Sequence, residues 1–87
     1  MLIVKRDGTQ VQFDRDKIIN AINKAFIEVD GKLYENETAM DIADDIEKIA
    51  RSVDSLSIEE IQNLVETYLM DSERTDVARA YIRYRYK

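Results

Sequence analysis

MLIVKRDGTQVQFDRDKI, residues 1–18, sets a β-branched-rich run (Leu2, Ile3, Val4) and an alternating one (Val11 and Phe13 among Gln10, Gln12 and Asp14) on either side of Asp7-Gly8. Apolar–polar alternation is the pattern of a half-buried strand, and glycine takes the positive φ that a tight turn requires. The stretch predicts an N-terminal hairpin over about residues 2–13, with Val11 and Phe13 facing a core. Asp14 is then placed to cap a helix over 15–30, in which Ile18, Ile22, Ala25, Phe26 and Val29 recur at helical spacing until Gly31, a residue type that commonly ends helices.

Further along, Asn36 is a second cap candidate, and Ala39, Ile42, Ala43, Ile46, Ile49, Ala50 and Val53 form an apolar stripe with acids opposite, predicting a helix over 36–53. Ser57 and Glu60 have the spacing of a capping box ahead of Ile61, Leu64, Val65, Tyr68 and Leu69, predicting a helix over 58–70. Leu56 to Ile58 reads as a short strand beside the hairpin, and a last helix over 73–86 carries Val77, Ala78, Tyr81, Ile82 and Tyr84. Four amphipathic helices must bury their stripes against one another, and the hairpin its apolar face against them. The expected class is α+β, a single domain in which a four-helix bundle is capped by a small sheet.

The chain has 87 residues, 36% of them charged, with no proline and two glycines, which suits short helices joined by short connections. Cysteine and histidine are absent, removing thiolate nucleophiles, disulfides, the usual zinc ligands and imidazole acid–base chemistry together. No apolar run reaches the ~18 residues that span a bilayer and no signal-peptide pattern opens the chain, so a cytoplasmic location and no membrane partner are expected. The net charge of −5 argues against a general nucleic-acid binder. Its distribution is uneven: residues 28–73 hold fourteen acids against three cations, whereas 74–87 hold five cations against Asp76 alone. Lys5, Arg6, Arg15 and Lys17 add a second basic region near the start.

A hairpin packed over the start of the first helix would bring Lys5 and Arg6 toward Lys17 and toward exposed helix amides, both of which attract phosphate. On local chemistry alone, charged turn flanks are more often simply solvated. The closing run ARAYIRYRYK interleaves Arg79, Arg83, Arg85 and Lys87 with Tyr81, Tyr84 and Tyr86, a pattern that can stack bases, yet Tyr81 and Tyr84 also lie on the apolar stripe. The acidic face of the second helix lacks the calcium-loop pattern, and Gly8 and Gly31 form no phosphate-cradling loop.

Taken together, VKRDGTQVQFDRDKI, SIEEIQNLVETYLM and VARAYIRYRYK resemble the ATP-cone, the allosteric nucleotide-binding domain at the N-terminus of ribonucleotide reductases and in a related bacterial repressor. The ending looks most like the anaerobic, class III ribonucleoside-triphosphate reductases. The resemblance implies a four-helix bundle capped by a three-stranded mixed sheet, binding ATP or dATP with Mg2+ and controlling overall activity of a reductase in deoxyribonucleotide synthesis. It implies as partners the catalytic body of the parent enzyme and further copies of the cone, with no catalysis by this chain alone, and an excised domain as its origin. By position it assigns Lys5, Arg6 and Lys17 to the triphosphate, with Ile3, Val11, Phe13, Asp14 and Ile18 beside the nucleotide. Ser57, Ile58 and Gln62 would close over it, and Arg83 and Lys87 would point in from the last helix. Val11 and Gln62 depart from members that carry an acid and a histidine at those positions. Two other readings remain: the cone of a nucleotide-responsive repressor, which would carry a cysteine-rich zinc ribbon ahead of it, and a helical protein-interaction module that uses its acidic second helix without nucleotide.

Overall fold

The hairpin turn is wider than a two-residue loop. Lys5 N–H donates to the Thr9 carbonyl at 2.8 Å and Gly8 N–H to the Lys5 carbonyl at 2.9 Å, so Arg6 and Asp7 sit at the tip and Gly8, at φ 85°, follows in the left-handed region. This is a three-residue loop, a turn closed by a glycine bulge. Asp7 accepts from Thr9 N–H and Oγ1 at 3.0 and 2.7 Å, and these bonds hold its carboxyl below the usual carboxylate range. The tip is therefore braced, with Arg6 displayed on it.

The computed structural model describes residues 1–33 and 37–86. Strands β1 (Leu2–Val4) and β2 (Gln10–Gln12) precede helices α1 (Arg15–Asp30) and α2 (Glu37–Arg51); β3 (Ser55–Ser57), α3 (Ile58–Asp71) and α4 (Thr75–Arg85) follow. The sheet order is β2-β1-β3. β1 runs antiparallel to β2, with Ile3 opposite Val11, and parallel to β3, with Ile3 opposite Leu56. Parallel neighbours need a long crossover, which α1 and α2 supply. The fold is the expected α+β class: four helices and a small mixed sheet.

The caps act as the side chains dictate. Asp14 accepts from Asp16 and Lys17 N–H at 3.1 and 3.4 Å, Gly31 closes α1 at φ 81°, and the Ser57–Glu60 capping box starts α3. Because Ser57 is that cap, the third strand ends at Ser57, one residue before the end the sequence suggests, and Ile58 opens the helix as expected. α2 stops at Arg51, leaving Val53 outside the helix and 44% exposed. α4 starts at Thr75 because Glu73, at φ 70°, and Arg74, at φ −94° and ψ 68°, both lie outside the helical region. The cap expected at Asn36 lies outside the described residues.

Ile22, Ile46, Val65, Leu69 and Val77 are the largest fully buried side chains. Burial of each aliphatic side chain of this kind stabilises by about 1.5–3 kcal/mol. α1 packs on α2 and α4, and α3 packs on α2 and α4. Arg74 clamps the far end: it reaches Asp30 at 2.7 Å and Asp76 at 3.1 Å and lies 5.4 Å from the Phe26 ring centroid. Among the described residues no helix is long and apolar enough to cross a membrane.

One expectation fails at β2. Ile3 is buried as β1 packs on the helices, but every residue of β2 is exposed and Val11 is 41% accessible. β2 is an edge strand, and Val11, opposite Ile3 on the same face, borders an open hollow rather than packed side chains.

Candidate functional site

The exposed edge of the sheet borders two adjoining hollows. One, of about 360 Å³, is lined by Lys5, Arg6 and Asp7 from the turn and by Ile58 and Gln62 from α3. The other, of about 80 Å³, lies between the sheet and the start of α1, lined by Ile3, Val11, Gln12, Phe13, Asp14, Lys17, Ile18, Ile58 and Ile61. Ile58 lines both, so the first turn of α3 joins a cationic hollow to an apolar one. The larger falls in the range of small-molecule pockets, roughly 300–1,000 Å³.

Each lining group has a local cause. The loop geometry puts Arg6 at the tip and Lys5 exposed at its base, and the Asp14 cap fixes the first turn of α1, from which Lys17 projects exposed. The capping box sets the start of α3, placing Ile58 against the sheet and Gln62 one turn later. Arg6 bridges to α3 twice: its Nη2 donates to Gln62 Oε1 at 3.3 Å, and its Nε lies 3.5 Å from Glu59 Oε1.

Of the residues expected at the site, Ile3, Lys5, Arg6, Val11, Phe13, Asp14, Lys17, Ile18, Ile58 and Gln62 are brought together around these two hollows. Ser57 lines neither: its hydroxyl accepts Glu60 N–H at 3.0 Å and its own N–H donates to the Glu60 carboxylate at 3.3 Å. Arg83 is elsewhere, lining a separate hollow with Lys24, Ala25, Glu28 and Tyr84 and lying 3.6 Å from Glu28. The packing of α4 along α1 places Arg83 beside Glu28 rather than beside the sheet. Lys87 lies outside the described residues.

The basic tail is also less exposed than its composition suggests. The Arg85 side chain is 6% exposed, and its Nη1 donates to Asn63 Oδ1 and Glu66 Oε1, both at 2.7 Å; bonding to Glu66 raises its pKa. Tyr81 is buried, which pushes its phenol up to about 12. The sequence reading missed Asp7, Ile61 and Glu59, whereas Gln12 lies within the expected segment from Val11 to Asp14. Asp7 stands beside an expected residue, and Ile61 repeats the face of Ile58 one turn on; nothing local marks Glu59, which is 53 positions from Arg6.

Cations and a glutamine amide beside an apolar wall can hold an anionic ligand with an apolar or aromatic part. Among the described residues no group of three or more acids is arranged to hold a metal ion.

The model of the ATP cone domain matches residues 1–87. The chain belongs to the ATP-cone family. This cone is 36% identical over 86 residues to the anaerobic ribonucleoside-triphosphate reductase of Haemophilus influenzae, covering 97% of the chain and 12% of that protein. It is 41% identical over 90 residues to the vitamin B12-dependent ribonucleoside-diphosphate reductase of Thermoplasma acidophilum, covering 98% and 12%. With the anaerobic ribonucleoside-triphosphate reductase of Escherichia coli it shares 35% over 86 residues, 97% and 12%. The cone thus spans about one eighth of the length of these relatives, which include both triphosphate and diphosphate reductases.

Proposed function

We propose that this cone is the regulatory nucleotide-binding domain of a ribonucleotide reductase, taking ATP or dATP at the paired hollows and controlling deoxyribonucleotide synthesis by a catalytic body elsewhere in the parent protein. The observation that carries the reading is the meeting of a cationic and an apolar hollow at Ile58, within a chain whose relatives are ribonucleotide reductases. Lys5, Arg6 and Lys17 would hold the phosphates. Charge-assisted hydrogen bonds of this kind contribute roughly 1.5–3 kcal/mol each. Ile3, Val11, Phe13, Ile18 and Ile58 would face the ribose and base, which explains an exposed valine on an uncovered strand. Asp14 and Ser57 act by fixing the first turns of α1 and α3, and Gln62 holds Arg6. Mg2+ would arrive with the triphosphate, whose oxygens it ligates.

ATP and dATP differ by one hydroxyl, and a hydrogen bond to it contributes about 0.5–1.5 kcal/mol. So small a difference regulates an enzyme only when the two effectors favour different arrangements of cone, body or neighbouring copies. Isothermal titration of the folded domain with ATP and with dATP tests the binding step: saturable heat supports the reading, and no heat with either nucleotide overturns it.

A further inference from the structure

Of the three cations at the site, Arg6 is the one that the structure ties to α3, through Gln62 at 3.3 Å and the Glu59 carboxylate at 3.5 Å. Both members of the ion pair are more than half exposed, at 57% and 58%. Exposed pairs of this kind are weak and exchange readily. Glu59 reaches that hollow through its pairing with Arg6, which lines it together with Lys5, and the cap of α3 is made without Glu59, by Ser57 and Glu60. Asp7, the other carboxylate of that hollow, is turned into its own turn by Thr9.

We propose that Glu59 sets the dependence of nucleotide binding on divalent metal: it holds Arg6 across to α3 in the empty site and repels a triphosphate whose charge no cation has reduced. The proposal rests on the nucleotide reading given above. A bare triphosphate carries more negative charge than its magnesium complex, so Glu59 opposes the bare form more. At contact distances in water two unit charges repel enough to change an equilibrium about five-fold, and a site half open to solvent lies near that limit.

The test is titration of wild type, Glu59→Gln and Asp71→Asn with ATP, once in excess Mg2+ and once with the metal chelated, with thermal unfolding as a fold control. Asp71 is exposed at the other end of α3, twelve residues and so about 18 Å along the axis, beyond the Debye length, and controls for the change of net charge. Glu59→Gln is expected to tighten metal-free ATP about five-fold and the magnesium complex, whose charge is about half, only about two-fold, with Asp71→Asn unchanged in both. Equal effects in the two conditions, or no tightening of metal-free ATP, overturn the role of Glu59 while leaving the nucleotide reading intact. Wild type that binds ATP in neither condition overturns both.

Discussion

Replacing Ser57 by alanine separates a scaffold from a ligand contact. Its hydroxyl accepts Glu60 N–H at 3.0 Å, and the reciprocal bond from Ser57 N–H to the Glu60 carboxylate, 3.3 Å, uses only backbone on the serine side. Alanine deletes the first bond and keeps the second. Loss of a serine cap costs about 0.5–2 kcal/mol, and partial solvent access to this half-buried residue places the expected cost near 1 kcal/mol. For a domain of this size that lowers Tm by about 4–8 °C. Total stabilities of about 0.05–0.15 kcal/mol per residue leave the variant almost wholly folded at room temperature. Thermal unfolding followed by helical circular dichroism measures the loss, and titration with ATP measures affinity on the same sample. The expected result is a lower Tm with ATP affinity unchanged. An unchanged Tm with ATP binding abolished would refute the assignment of Ser57 to the cap alone.

Lys17→Ala should weaken ATP binding by about ten-fold or more, the scale of one charge-assisted hydrogen bond, without lowering Tm, whereas Arg83→Ala, in its separate hollow, should leave ATP affinity unchanged in the same titration. Ile22→Ala, at a fully buried position of α1, should cost about 2–5 kcal/mol in denaturant unfolding. Burial raises the Tyr81 phenol from its ordinary value of 10.0 to about 12, so from pH 10 upward the unfolded chain loses a proton that the folded chain keeps. Stability should therefore fall as pH rises through this window, and Tyr81→Phe should flatten the fall in pH-dependent thermal unfolding.

The helices were legible because caps and periodicity agree: Asp14, Gly31 and the Ser57–Glu60 box mark ends that the apolar stripes fill. Val11 misled because alternation reveals which residues share a strand face, not whether anything covers it. Val53 continues the stripe of α2, but its helix ends at Arg51. Position along α4 likewise did not reveal which neighbour each cation meets: Arg83 turns to Glu28 on α1, and Arg85 to Glu66 on α3. Local chemistry did not reveal the long-range pairing of the turn with α3, where Arg6 meets Glu59 and Gln62: only the resemblance placed Gln62 at the same site as Arg6, and nothing pointed to Glu59. Local propensity has no bearing on contacts between residues so far apart in the chain.

Whether this cone holds ATP is read from its unfolding temperature with and without the nucleotide. At ~100 times the dissociation constant, ATP should add about 2.7 kcal/mol of stability, a rise in Tm of roughly 10 °C or more for a domain of this length. Wild type should show that rise, and Lys17→Ala about half of it or less at the same ATP concentration. A Tm that ATP does not move, at millimolar concentrations and in the presence of Mg2+, would contradict it.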